Sequence, residues 1–107
     1  MEKTLSKNEK KILNNFKTLL SKNVPLHRLI LFGSRARGDA AKDSDMDVAI
    51  IIDDNSVKPY QDIIDDNSWE SGFEYGIVIS PVTFTYDKWI QKLEPIIKNI
   101  KREGIEI

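Results

Sequence analysis

Cysteine is absent from these 107 residues, and histidine occurs once. The first absence excludes a disulfide framework and a thiolate zinc site, and the second argues against a metal site built from imidazoles. An excess of charge of either sign is also lacking. Sixteen basic residues face seventeen acidic ones, for a net charge of −1 and an isoelectric point near 5.8. Such a molecule has no overall field to hold a polyanion, so strong direct nucleic-acid binding is not expected. No apolar run approaches the roughly 20 residues of a membrane span. The start MEKTLSKNEKK leads into an amphipathic pattern rather than a leader core. No membrane contact and a cytoplasmic location are therefore expected. There is no repeat and no low-complexity segment, and 1–107 is expected to form one domain. It has room for one core but not for a separate substrate-recognition domain.

What is present is concentrated between Leu29 and Ile52, LILFGSRARGDAAKDSDMDVAIII. A short apolar run ends in Gly33-Ser34, and Asp45 and Asp47 precede a second run, Val48 to Ile52. Both runs read as buried strands, the second covered on both faces because it is apolar throughout. Side chains two apart on a strand share a face, so Asp45 and Asp47 project together. Paired carboxylates repel, an arrangement that suits a divalent cation between them. Gly33 allows backbone to approach a ligand, and Ser34 adds a hydroxyl and an N–H. A phosphate cradle facing two metal-binding carboxylates is apparatus for magnesium-dependent nucleotidyl transfer.

Around this segment the pattern alternates. Ser6 and Glu9 form a capping box ahead of a helical stripe, Ile12, Leu13, Phe16, Leu19 and Leu20, which Asn23 and Pro25 stop. His27 to Phe32 make the first strand, with a helical turn from Ser34 to about Gly38. Asp53-Asp54-Asn55 close the second strand. Pro59 opens a helix with Tyr60, Ile63 and Ile64 inside, ragged after Asn67. Ile77 to Phe84 form a third strand, which Pro81 places at an edge or interrupts. Thr85 caps a last helix, Pro95 breaks or restarts it, and Gly104 ends it. The expected fold class is α/β (α+β), a small mixed sheet flanked by helices.

Each residue has a plainer reading. Asp45 and Asp47 also suit a strand entrance, and Gly33 also suits a turn. Arg35, Arg37 and Lys42 read either as surface cations or, lying between cradle and carboxylates, as partners of triphosphate charge. His27 reads as structural, and Trp69, Tyr75 and Trp89 as core or interface. Ile105-Glu106-Ile107 reads as a terminal strand closing the core, or as a docking patch together with Trp89.

GSRARG followed by DSDMD inside an apolar strand resembles the minimal nucleotidyltransferase domain of the DNA polymerase beta-like superfamily. The ending KNIKREGIEI also resembles that of small prokaryotic members. The resemblance implies transfer of AMP from ATP, with Mg2+ or Mn2+ at Asp45 and Asp47 and phosphates at Gly33, Ser34 and Arg35. Relatives paired with HEPN-type toxins imply an antitoxin role, a HEPN-like partner and a protein hydroxyl as acceptor. Active members carry a third carboxylate on the next strand. Here Ser80 occupies the expected place, and Glu74 is the nearest acid for the catalytic role. The alternative is a non-catalytic nucleotide-binding or steric module, either self-associating or bound to a partner.

Overall fold

The computed structural model describes residues 5–107. The reading of the extreme N-terminus rests partly on residues 1–4, which lie outside those described. Helix α1, Lys7–Asn23, starts at the capping box: Ser6 Oγ accepts from the Glu9 N–H at 3.1 Å, and Glu9 Oε1 accepts from the Ser6 N–H at 2.9 Å. Its apolar stripe buries Ile12, Leu13, Phe16 and Leu20. Strand β1, Leu26–Phe32, follows, then a single helical turn α2, Ser34–Arg37, and strand β2, Met46–Ile52. A 3-10 turn over Lys58–Tyr60 leads into α3, Gln61–Phe73. Strand β3, Ile79–Thr85, precedes α4, Tyr86–Gln91, and α5, Pro95–Glu103; strand β4 is Ile105–Glu106.

The strands form one mixed sheet in the order β3-β2-β1-β4, with β2 and β3 parallel and the other pairs antiparallel. Alternation along β2 sorts the core into two layers. Met46, Val48, Ile50 and Ile52 join the apolar residues of α1 and Ile64 of α3 on one face. Ala49 and Ile51 join Trp89 of α4 and Ile97 and Ile100 of α5 on the other. Both faces of β2 are thus covered, as its continuous apolar run requires.

One expectation changes, and two with alternatives are decided. Helix α3 does not fray after Asn67 but runs six residues further, burying Asn67, Ser68, Ser71 and Gly72. The final helix restarts at Pro95, as one reading of that proline had it, after Lys92 adopts a left-handed φ of 59°. The tail is the expected terminal strand: Ile105 and Glu106 pair with Leu31 and Ile30, and the Ile107 N–H donates to the Leu29 carbonyl at 2.9 Å. Trp89 is buried, packed against Phe84, so tail and tryptophan do not make a docking patch. Pro81 lies on β3, an outer strand of the sheet, where its missing N–H costs no ladder bond.

Candidate active site

Asp47 lies on β2 opposite Phe32 of β1 and Ser80 of β3. By alternation it shares the α4–α5 face with Ala49 and Ile51, and Ser80 shares that face with Phe84. Asp45 precedes the strand by one residue and is exposed, while Asp47 is half-buried. The two remain electrostatically coupled. Burial first, then Asp45 and lastly Glu103, push the Asp47 carboxyl above the usual carboxylate range, and Arg37 offsets part of that shift.

Gly33 ends β1 and starts α2 with φ 76° and ψ −158°. A Cβ there would strike Asp47 Oδ2 and lie 3.2 Å from its Cβ and Cγ. The glycine is therefore required first by the aspartate, whose carboxylate fills the space a side chain would take. Ser34 follows as the first residue of α2, half-buried, and its carbonyl accepts from the N–H groups of Gly38 and Asp39. Gly33, Ser34, Asp45 and Asp47 thus meet at one end of the β1–β2 pair.

The two arginines of the turn part company. Arg35, expected at the phosphates, faces the other way. Its guanidinium donates to the Ser44 carbonyl at 3.0 and 2.6 Å and to the Lys42 carbonyl at 3.2 Å, and it pairs with Glu9 at 3.2 Å. Only 8% of that side chain is exposed; it ties α1 to the 39–45 loop. Arg37 lies on the Asp47 side, held by Asp39 at 3.2 Å and Glu103 at 3.3 Å.

Glu74 is not brought to the pair. It is the exposed C-cap of α3, whose buried face packs into the opposite core layer with Tyr75 and Ile77. Glu103 is the acid that does arrive. From the end of α5 it accepts from the Gly33 N–H at 3.1 Å while pairing with Arg37. Sequence reasoning missed it because a glutamate before glycine at a helix end reads as solvated; its clue was the KREG of the quoted ending. Among the described residues no group of three metal-ligating side chains is assembled. A roomier cavity of about 790 Å³, between α1, α2 and the 39–43 loop, includes Glu9, Arg35 and Tyr75 but neither aspartate.

Two hard carboxylate oxygen donors that feel one another's charge suit a magnesium ion, which takes one or two protein carboxylates and completes its shell with phosphate and water. The residues present fit one such ion and not a second, because β3 offers Ser80 where another carboxylate is wanted.

The chain is 40% identical over 83 residues, 77% of its length and 79% of the other protein, to a Methanocaldococcus jannaschii protein named as a candidate protein adenylyltransferase. Its fold matches a crystal structure of a toxin–antitoxin with AMP-PNP at a TM-score of 0.63 and 18% identity, covering 87% of this chain and 69% of that one. It also matches the MntA–HpeT toxin–antitoxin carrying two Asp-to-Glu substitutions, at a TM-score of 0.62 and 17% identity over the same shares. The family described as nucleotidyltransferase domain matches residues 10–107, so nearly the whole chain is accounted for, and the chain belongs to that family.

Proposed function

We propose that this chain transfers AMP from ATP to a hydroxyl of a partner protein, in an antitoxin-type role. The observation that carries the reading is the fit of Gly33 against Asp47. A backbone conformation reserved for glycine is maintained beside a carboxylate that burial and a like charge make costly to ionise. Such a pairing is worth keeping where a cation and phosphates complete it. The 40% identical relative bears the name of the same activity. In one structural neighbour the two substituted aspartates stand two positions apart, as Asp45 and Asp47 do.

Magnesium or manganese at Asp45 and Asp47 would supply neutralisation of triphosphate charge. Gly33 leaves space for the Asp47 carboxylate beside the turn, and the Ser34 hydroxyl and N–H would bind the β- and γ-phosphates. Arg37 rather than Arg35 would meet the remaining charge. The acceptor oxygen forms a bond to the α-phosphorus while the bond to the pyrophosphate oxygen breaks. Its proton needs a carboxylate that β3 does not supply, and an acid of the partner would take it.

A second reading is favoured by one residue. Ser80, beside Asp47, is a poor magnesium ligand, which suits a non-catalytic nucleotide-binding or steric module. ATP labelled at the α-phosphate, with Mg2+ or Mn2+ and the proteins encoded beside this one, separates the two. Metal-dependent label on a protein is expected. Nucleotide binding without any transfer would support the second reading instead.

A further inference from the structure

The C-terminal half of α3 is built inside out. Its buried positions are Asn67, Ser68, Ser71 and Gly72, whereas Trp69 and Phe73 are 67% and 66% exposed. The small interior has a local cause: a Cβ on Gly72 would strike the Ile77 carbonyl, so helix and following segment lie too close for bulk. The aromatic exterior has no such cause among the described residues. The two rings stack with centroids 4.6 Å apart. Together with exposed Val78 and with Ile77, Ile79 and Pro81 they line an open groove of about 450 Å³.

Charge says what such a groove can receive. Between Lys58 and Lys88 the chain carries six acidic residues and no Lys or Arg, so all sixteen basic residues lie outside that segment. Asp62, Asp65, Asp66, Glu70 and Glu74 of this set are exposed on or beside α3. None of the five pairs with a cation of the chain among the described residues. A polyanion is repelled by this surface. A second copy approaching the same face by two-fold symmetry would oppose acid to acid. Pro81 interrupts the outer edge of β3 against strand addition.

We propose that this face docks a protein partner through a cationic amphipathic helix, its apolar stripe against Trp69 and Phe73 and its Lys and Arg among the carboxylates. Exposed tryptophan in an apolar groove is the usual energetic anchor of such contacts, and the acidic surround selects the partner by sign. The groove reaches Ile77 and Ile79 on the α3 side of the sheet, so a docked partner lies along the edge of β3, across the sheet from Ser80 and Asp47. Docking does not depend on nucleotidyl transfer and is tested without nucleotide.

The probe is a Leu/Lys amphipathic helical peptide about five turns long, with its Leu/Glu counterpart as control, added to the intact chain. Trp89 is buried and Trp69 exposed, so a blue shift of tryptophan emission reports Trp69, and the Trp69→Phe variant confirms the source. A saturable shift with the Leu/Lys peptide only is expected. The double variant Asp66→Lys, Glu70→Lys, both exposed positions that leave the core untouched, should weaken it at least about tenfold, and raised salt should weaken it too. An equal response to both peptides, or binding that survives the charge reversal, for instance at Asp45 and Asp47, would overturn the proposal. Self-association of the free chain, seen by sedimentation and abolished by Trp69→Ser, would overturn it in favour of a second copy.

Discussion

With φ 76° and ψ −158°, Gly33 occupies backbone space that residues with a Cβ adopt only at a cost of about 1–3 kcal/mol. Gly33→Ala adds to that strain a collision with Asp47. It should lower the melting temperature and also weaken Mg-ATP binding by calorimetry, because the carboxylate must move. A variant that melts lower yet binds normally would leave Gly33 a turn residue only. Asp47 itself obeys a sign rule. Its pKa is raised on folding, so the protonated form stabilises the fold below the usual carboxylate range, and that contribution is lost as pH rises through the raised value. At pH 7 the ionised group is a net cost. Asp47→Asn should therefore melt at or above the parent at pH 7 without metal, with the gap closing below about pH 4. The same change should weaken Mg-ATP by at least about tenfold. Destabilisation at pH 7 would contradict the electrostatic account. Glu103 accepts from the Gly33 N–H and holds Arg37. Glu103→Gln keeps an acceptor for the amide but loses the ion pair, so its effect should fall on nucleotide affinity rather than on stability.

Helix α2 is one turn long, and residues two apart on a helix point about 200° apart. That alone sends Arg35 and Arg37 to opposite sides, and no feature of the string SRAR says which side meets Asp47. The structure assigns Arg35 to the strut with Glu9 and the loop carbonyls, and Arg37 to the site. Two substitutions should then separate cleanly. Arg35→Met leaves the mostly buried Glu9 carboxylate unpaired and should cost on the order of 3 kcal/mol, read as a lower denaturation midpoint. Arg37→Met should leave that midpoint within about 0.5 kcal/mol and weaken ATP binding instead. The opposite assignment of effects would mean that the turn is rotated in solution. The same elements show what was legible in advance. Strand β2 declared itself because burial on both faces demands an unbroken apolar run, β1 showed in its shorter run Leu29 to Phe32, and the capping box fixed the start of α1 chemically. The length of α3 was hidden because its inward positions are Asn, Ser and Gly, chosen for close approach rather than apolarity. Glu103 was hidden because its partners, Gly33 and Arg37, lie 70 and 66 residues away in the chain.

At the scale of the whole molecule, the last residues close the sheet. Strand β4 pairs with β1 beside Ile30 and Leu31, the strand that delivers Gly33. Ile105 and Ile107 pack against the α1 side of the core, and Lys17 of α1 donates to the Ile107 carbonyl at 2.7 Å. On the other side of the same corner, a Cβ on Gly104 would strike the Ile100 carbonyl and Ile30, so chain and sheet are in close contact there. Full burial of an isoleucine is worth about 1.5–3 kcal/mol, and both here are half-buried. Removing residues 105–107 should therefore cost about 1.5–3 kcal/mol, a sizeable part of the 5–15 kcal/mol typical of a domain. At about 4–8 °C per kcal/mol for a chain of this size, the melting temperature should fall by roughly 6–24 °C. The loss should not stop at stability. Freeing β1 from β4 loosens the support of Gly33 and of Glu103, which sits two residues before β4, so Mg-ATP affinity should fall below the melting point as well. Peptide docking at Trp69, on the far edge beyond β2 and β3, should persist as long as the truncated chain is folded. A truncation that leaves melting unchanged would show that β4 does not hold the sheet, and one that abolishes peptide docking while still folded would place that surface on the tail instead.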